Sequence, residues 1–127
     1  QIDIEFELSK MDFEDRIEFY KELGLQSSGL EQIVKTGYRL LNLITFYTTV
    51  GTELRAWSLS KGSSVINAAG KIHSDMQKGF IRADVINYND FILAGSQTAA
   101  REKGMLRSEG RDYIVQDGDI IQIRFSK

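Results

Sequence analysis

Apolar residues recur along this chain at two different intervals, and the change falls close to residue 43. Before it, Phe13, Ile17, Tyr20 and Leu23 form one stripe at helical spacing. Asp12 stands where an N-cap is expected, and Glu14 and Asp15 occupy the first turn, where the helix dipole favours negative charge. Gly24 supplies a left-handed stop. Ser28-Gly29-Leu30-Glu31 then has capping-box spacing, and Leu30, Ile33, Val34, Gly37, Leu40, Leu41 and Ile44 follow at helical intervals. Residues 12–42 therefore predict a helical hairpin joined by the link Gly24–Gly29. In front of it, Ile2, Ile4, Phe6 and Leu8 alternate with Asp3, Glu5 and Glu7 as in a strand, while Ile4, Leu8 and Met11 also suit a helix. Both assignments stay open.

From Leu43 the chain is rich in β-branched and aromatic residues, and the period becomes two. Strands are predicted over Leu43–Val50 and Leu54–Leu59, turned by Gly51-Thr52. After a turn at Lys61-Gly62, Ser63 or Ser64 caps a helix that carries Val65, Ala69, Ile72 and Met76. Phe80–Ile86 is the next strand. Residues 87–104 read as loop with short helical turns around Tyr88–Leu93 and Thr98–Lys103. The turn dipeptides Glu109-Gly110 and Asp117-Gly118 frame strands at Tyr113–Val115 and Ile120–Phe125. Two strands, a packed helix and a return to the sheet is the β-grasp plan of ubiquitin-like domains, an α+β architecture. The expected organisation is an N-terminal segment and helical hairpin over 1–42, then a β-grasp domain over 43–127.

Composition narrows the chemistry. The chain has 127 residues, no Cys and one His, which excludes disulfides and thiolate chemistry and fits a reducing compartment. No apolar run approaches the ~20 residues that span a bilayer, so no membrane partner is expected. GxxxxGK[ST], the phosphate-cradling motif, does not occur. The start at Gln1, inside an alternating segment, points to a fragment of a longer protein. The net charge of −2 hides an asymmetry: residues 1–31 carry 3 basic and 9 acidic side chains, the remainder 13 and 9. An acidic front thus precedes a mildly basic body, which is compatible with a polyanionic partner.

The segments SGLEQIVKTGYRLLNLITFYT (Ser28–Thr48), ELRAWS (Glu53–Ser58), AAGKIHSDMQKGFIRADVI (Ala68–Ile86) and EGRDYIVQDGDIIQIRF (Glu109–Phe125) resemble the C-terminal part of the YchF/Obg-like P-loop ATPase/GTPase family. Phe13 stands where that family often has Pro, and Asp84 where it usually has Glu. The resemblance implies a TGS domain of β-grasp type with its leading helices. It also implies a parent protein that hydrolyses ATP or GTP with magnesium in a separate domain, a cytoplasmic location and an association with ribosomes. No catalytic, cofactor or metal residue is assigned within the chain. The expected partners are RNA or the ribosome, with the parent's nucleotide-binding domain in cis.

Candidate binding residues follow from strand alternation. In Phe80–Ile86, Ile81, Ala83 and Val85 are expected on the core face, leaving Phe80, Arg82 and Asp84 on the other. By the same alternation Arg55 and Trp57 oppose Leu54, Ala56 and Ser58, while Gln122 and Arg124 oppose Ile121, Ile123 and Phe125. If one face of the sheet lies open, Arg55, Trp57, Phe80, Arg82, Gln122 and Arg124 would share it. Guanidinium groups there would bind phosphates, and Trp57 would offer a plane to an unstacked base. Lys71, His73 and Lys78 adjoin this strand, with Gly79 expected to adopt a backbone shape that a side chain would forbid. His73 and Asp75 read as a helix-end pair and not as a catalytic dyad. Arg101, Lys103, Arg107 and Arg111 form a second basic cluster, which follows the least regular part of the chain. Asp117-Gly118-Asp119 reads as a β-turn. The competing reading is a ubiquitin-like protein–protein interaction module without nucleic-acid binding.

Overall fold

The computed structural model describes residues 2–50 and 53–127, so the turn expected at Gly51-Thr52 lies outside the described residues. Two compact units emerge, Gln1–Leu41 and Asn42–Lys127. Asn42, at their junction, adopts a left-handed φ of 54°, a conformation that Asn tolerates better than most side chains.

The first unit holds α1 (Ile2–Ser9), α2 (Phe13–Glu22) and α3 (Gly29–Leu40). The open choice for the opening segment thus falls to helix, and Glu5 gives a physical reason. Its Oε1 accepts the Gly29 amide at 2.8 Å, at the start of α3, and its Oε2 accepts the Tyr20 hydroxyl at 3.1 Å. A carboxylate at a helix N-terminus satisfies a free amide and meets the positive end of the dipole. Ser28 caps α3 through its side chain, accepting the Glu31 amide at 3.0 Å. Asp12 occupies the N-cap of α2 without a side-chain cap bond, and Gly24 follows the helix with φ 68°.

The second unit is built on a five-stranded sheet in the order β2-β1-β5-β3-β4. The strands are β1 (Leu43–Val50), β2 (Glu53–Ser60), β3 (Phe80–Asn87), β4 (Arg107–Glu109) and β5 (Asp119–Phe125). β1 and β5 run parallel at the centre, and the other pairings are antiparallel. On one face Ile44, Phe46, Leu59, Ala83, Val85 and Ile121 pack beneath Val65 and Ala68 of α4 (Val65–Ile72). Residues of the opposite parity, Tyr47, Ile86 and Ile120, pack with Phe91 of α6 (Tyr88–Ala94) and Ala100 of α7 (Gln97–Glu102). Helices thus cover both faces, at least in part, and the sheet carries two apolar layers.

Several local expectations need correction. The helix expected to run through Met76 breaks at His73, whose extended backbone (φ −162°, ψ 142°) ends α4 and caps α5 (Ser74–Lys78). A register shift between Phe80 and Arg82 breaks the alternation at the start of β3. Phe80 therefore packs against the core cluster and Ile81 stands 62% exposed, the reverse of the expected pattern. Tyr113–Val115 is no strand: Ile114 makes a single bridge to Ser64, and the edge strand is β4 instead.

Gly79 also has a different reason for being glycine. Its backbone is ordinary (φ −91°, ψ 11°), but a Cβ there would collide with the Ser126 carbonyl oxygen. The Ser126 amide in turn donates to the Gly79 carbonyl at 2.9 Å. At the far end of β5, the buried Asp119 accepts the Tyr113 hydroxyl at 2.7 Å and the Gln116 amide at 2.9 Å through one oxygen. Asp117 accepts the Thr45 amide at 2.8 Å. Both carboxylates thus tie the turn to the sheet.

Gly79→Ala is expected to destabilise the second unit by roughly 1–3 kcal/mol, the cost of forcing an extra carbon into packed structure, read as a lower urea midpoint. Burial and the Asp119 carboxylate raise the pKa of Tyr113. A raised folded-state value means that its contribution is complete below the ordinary pKa of about 10 and lost as pH climbs through the folded value. Unfolding followed from pH 8 to 11 should therefore show a decline that is shallower in Tyr113→Phe than in the wild type.

Candidate functional site

Cross-strand register decides which candidate residues meet. Arg82 pairs with Arg124 and Asp84 with Gln122, so β3 and β5 place a square of four polar side chains on the α7 side of the sheet. Side chains directly opposite in such a pair lie close enough to interact. Asp84 is 6% exposed, and a carboxylate so buried requires partners. Arg124 supplies the firm one: its Nε donates to Asp84 Oδ2 at 3.0 Å, and its Nη2 donates to Gln122 Oε1 at 3.0 Å. Arg82 Nε lies 3.6 Å from Asp84 Oδ1.

α7 completes the cluster. Ser96 caps it, accepting the Ala99 amide at 3.1 Å, and the left-handed Gly95 turns the chain into it from α6. Gln97 and Arg101 stand four residues apart and so share one face of the helix. Gln97 Nε2 donates to Gln122 Oε1 at 3.1 Å, and Arg101 Nη2 lies 3.8 Å from Asp84 Oδ2. Three guanidinium groups therefore surround one carboxylate, and the excess charge is positive. Such a cluster attracts anions, and arginine forks suit phosphate oxygens.

Only part of the expected set is brought together. Arg82, Gln122 and Arg124 share this cluster, and Asp84 lies beneath them as a buried counter-ion. Arg55 and Trp57 lie on the opposite face. The pairing of Phe46 with Trp57 stacks their rings at a centroid distance of 6.4 Å, and the Arg55 guanidinium sits 4.7 Å over the indole. Trp57 Nε1 donates to Thr48 at 3.0 Å, and the tryptophan packs on the α4 side of the sheet with Leu59. Phe80 is a core contact. Lys71, His73 and Lys78 are exposed on or beside α4 and α5. His73 Nδ1 accepts the Asp75 amide at 3.1 Å and caps α5.

The expected platform with an aromatic centre therefore does not form, because hairpin register sends Trp57 to the other side. Arg101 stands in α7 and not with a separate basic cluster, and its helical spacing from Gln97 behind the cap Ser96 is the sequence signal for that position. Of that cluster, Arg107 turns instead to the Tyr113–Asp119 corner, donating to the Tyr113 hydroxyl at 3.1 Å. Among the described residues no group of acidic and imidazole side chains is arranged to hold a metal ion, and no helix is long and apolar enough to cross a membrane.

Comparison with known proteins fits this architecture. The family model YchF-GTPase_C, described as "Protein of unknown function (DUF933)", matches residues 43–126. The chain belongs to that YchF C-terminal family. Along 123 residues it is 47% identical to the ribosome-binding ATPase YchF of Haemophilus influenzae and 45% identical to that of Bacillus subtilis. Each match covers 97% of this chain but 34% of the relative, so the chain spans about one third of the length of these curated proteins. The structure of the Schizosaccharomyces pombe YchF GTPase superposes with a TM-score of 0.78 at 34% identity, covering 93% of this chain and 31% of that one. A GTP binding protein from Pyrococcus horikoshii OT3 gives a TM-score of 0.55 at 28% identity, over 87% and 29% of the two chains. The resemblance drawn from Ser28–Phe125 is thereby established, as is a mixed α/β fold like that of the YchF structure.

Within the Asp84 cluster, Asp84 and Arg124 are expected to be structural and Arg82 is not. Asp84→Ala should cost about 1.5–3 kcal/mol, the range for hydrogen bonds to charged groups. Arg82→Gln, at an exposed ion pair, should cost less than about 1 kcal/mol. Urea unfolding of the two variants side by side checks the contrast.

Proposed function

We propose that this chain is the non-catalytic C-terminal binding and regulatory portion of a YchF-like nucleotide-dependent protein, contacting RNA or the ribosome through the arginine cluster of β3, β5 and α7. In this reading residues 1–42 are the leading segment and helical hairpin, and residues 43–127 are a β-grasp domain of TGS type. The strand order, with its central parallel pair and a helix packed across one face, supports that assignment. The observation carrying the functional reading is the positive excess around Asp84, together with relatives named as ribosome-binding ATPases. ATP or GTP hydrolysis with magnesium would belong to the parent's nucleotide domain, acting in cis in the cytoplasm. Its nucleotide state would then govern how this surface is presented.

A second reading, a ubiquitin-like protein-interaction module, is favoured by one feature. α6 leaves Ile92 58% and Leu93 74% exposed, an apolar pair suited to a protein partner.

Salt separates the two. Co-sedimentation of the chain with ribosomes should weaken steeply as salt rises, because neutralised phosphates release counter-ions. Arg82→Glu combined with Arg101→Glu should abolish it. Association that ignores both salt and charge reversal would transfer the assignment to the apolar α6 surface.

A further inference from the structure

The three arginines around Asp84 are not equivalent. Arg124 spends two donors on Asp84 and Gln122, each at 3.0 Å, and is the least exposed of the three at 39%. Arg82 and Arg101 approach opposite oxygens of the same carboxylate at 3.6 and 3.8 Å, beyond good hydrogen-bond geometry, and are 57% and 60% exposed. Among the described residues neither guanidinium makes a hydrogen bond, so their forks of donors remain turned to solvent. They come from different elements, β3 and α7, and one buried carboxylate holds them together.

We infer that Arg82 and Arg101 form a two-jawed receptor for a single phosphate group, with Asp84 and Arg124 as its fixed base. This rests on the RNA-binding reading and deepens it: the ligand is one phosphodiester of a nucleic-acid backbone, read without regard to base. The Asp84 charge tethers the jaws but is outweighed by three cations, so an incoming anion still gains. A tetrahedral phosphate offers acceptors to two guanidinium groups at once, which a carboxylate reached edge-on does not fill. Such a contact positions a strand without specifying sequence. It also makes the α7 segment part of the receptor.

Two measurements test this. In the first, an oligouridylate of about 12 nucleotides is titrated into the chain by fluorescence anisotropy across a salt series. A single-stranded contact contributes about 0.7 to the log–log salt slope per phosphate neutralised. If both arginines hold one phosphate, Arg82→Gln with Arg101→Gln should reduce the slope by about 0.7 and weaken binding at low salt several-fold. A reduction of about 1.4 means two separate phosphates, and no change means no contact; either overturns the receptor while leaving RNA binding intact. In the second, inorganic phosphate is added to the wild-type chain while the arginine Nε–H resonances are followed by NMR. Arg82 and Arg101 should shift with a common dissociation constant and Arg124 less, with no matching shift from chloride at equal ionic strength. If the oligonucleotide does not bind but phosphate moves both jaws together, the RNA reading fails and the anion site stands. Resonances that shift independently, or not at all, overturn the site. Both variants alter side chains more than half exposed, and unchanged urea midpoints would verify that the fold is intact.

Discussion

A carboxylate with almost no access to water sits on the α7 side of the sheet, and the surrounding polar structure answers its charge. Asp84 is held between Ala83 and Val85, which point into the opposite apolar layer, so its place in β3 is set by core packing and not by choice of partner. Left alone there, the charge would be costly. Arg124 meets it from the paired strand, and Gln122 keeps Arg124 in line. Gln97 and Arg101 extend the network to α7, whose own docking depends on the buried Ala100. The polar cluster is thus anchored by apolar contacts on both sides.

This arrangement divides labour within a small area. The inner members satisfy one another at hydrogen-bond distance and gain rigidity from it. The outer members contribute charge without geometric commitment. A surface of that kind has order beneath and free donors above, as a phosphate-binding site requires. On α6, by contrast, Ile92 and Leu93 stand exposed as an apolar pair.

Sequence reasoning located most elements because their signals are local. Ser28 with Glu31, and Gly24, are punctuation that acts within a turn or two, and the β-branched run after Leu43 marks the first strand directly. It failed where a non-local contact set the outcome. The bulge at Phe80–Arg82 depends on pairing with Phe125 and Arg124, 40 residues or more away, and it exchanges Phe80 with Ile81. His73 breaks a helix whose apolar spacing continues through it. Gly79 is glycine because the end of the chain passes beside it, a neighbour its local sequence does not announce.

By itself the sequence determined the helical front, the strand-rich body, the family and the residue types able to bind a polyanion, because periodicity, caps and long ordered motifs are properties of contiguous residues. Tertiary structure alone decided which of those residues meet. Alternation in β2 sorts Arg55 and Trp57 from Leu54 and Ala56 but is silent on which set faces which layer; the pairing of Phe46 with Trp57 settles it. Arg101 joins Arg82 because α7 folds back over β5, bringing together side chains 19 positions apart in the chain. Face and proximity arise from register between strands and from the docking of helices, and neither is encoded in a single segment.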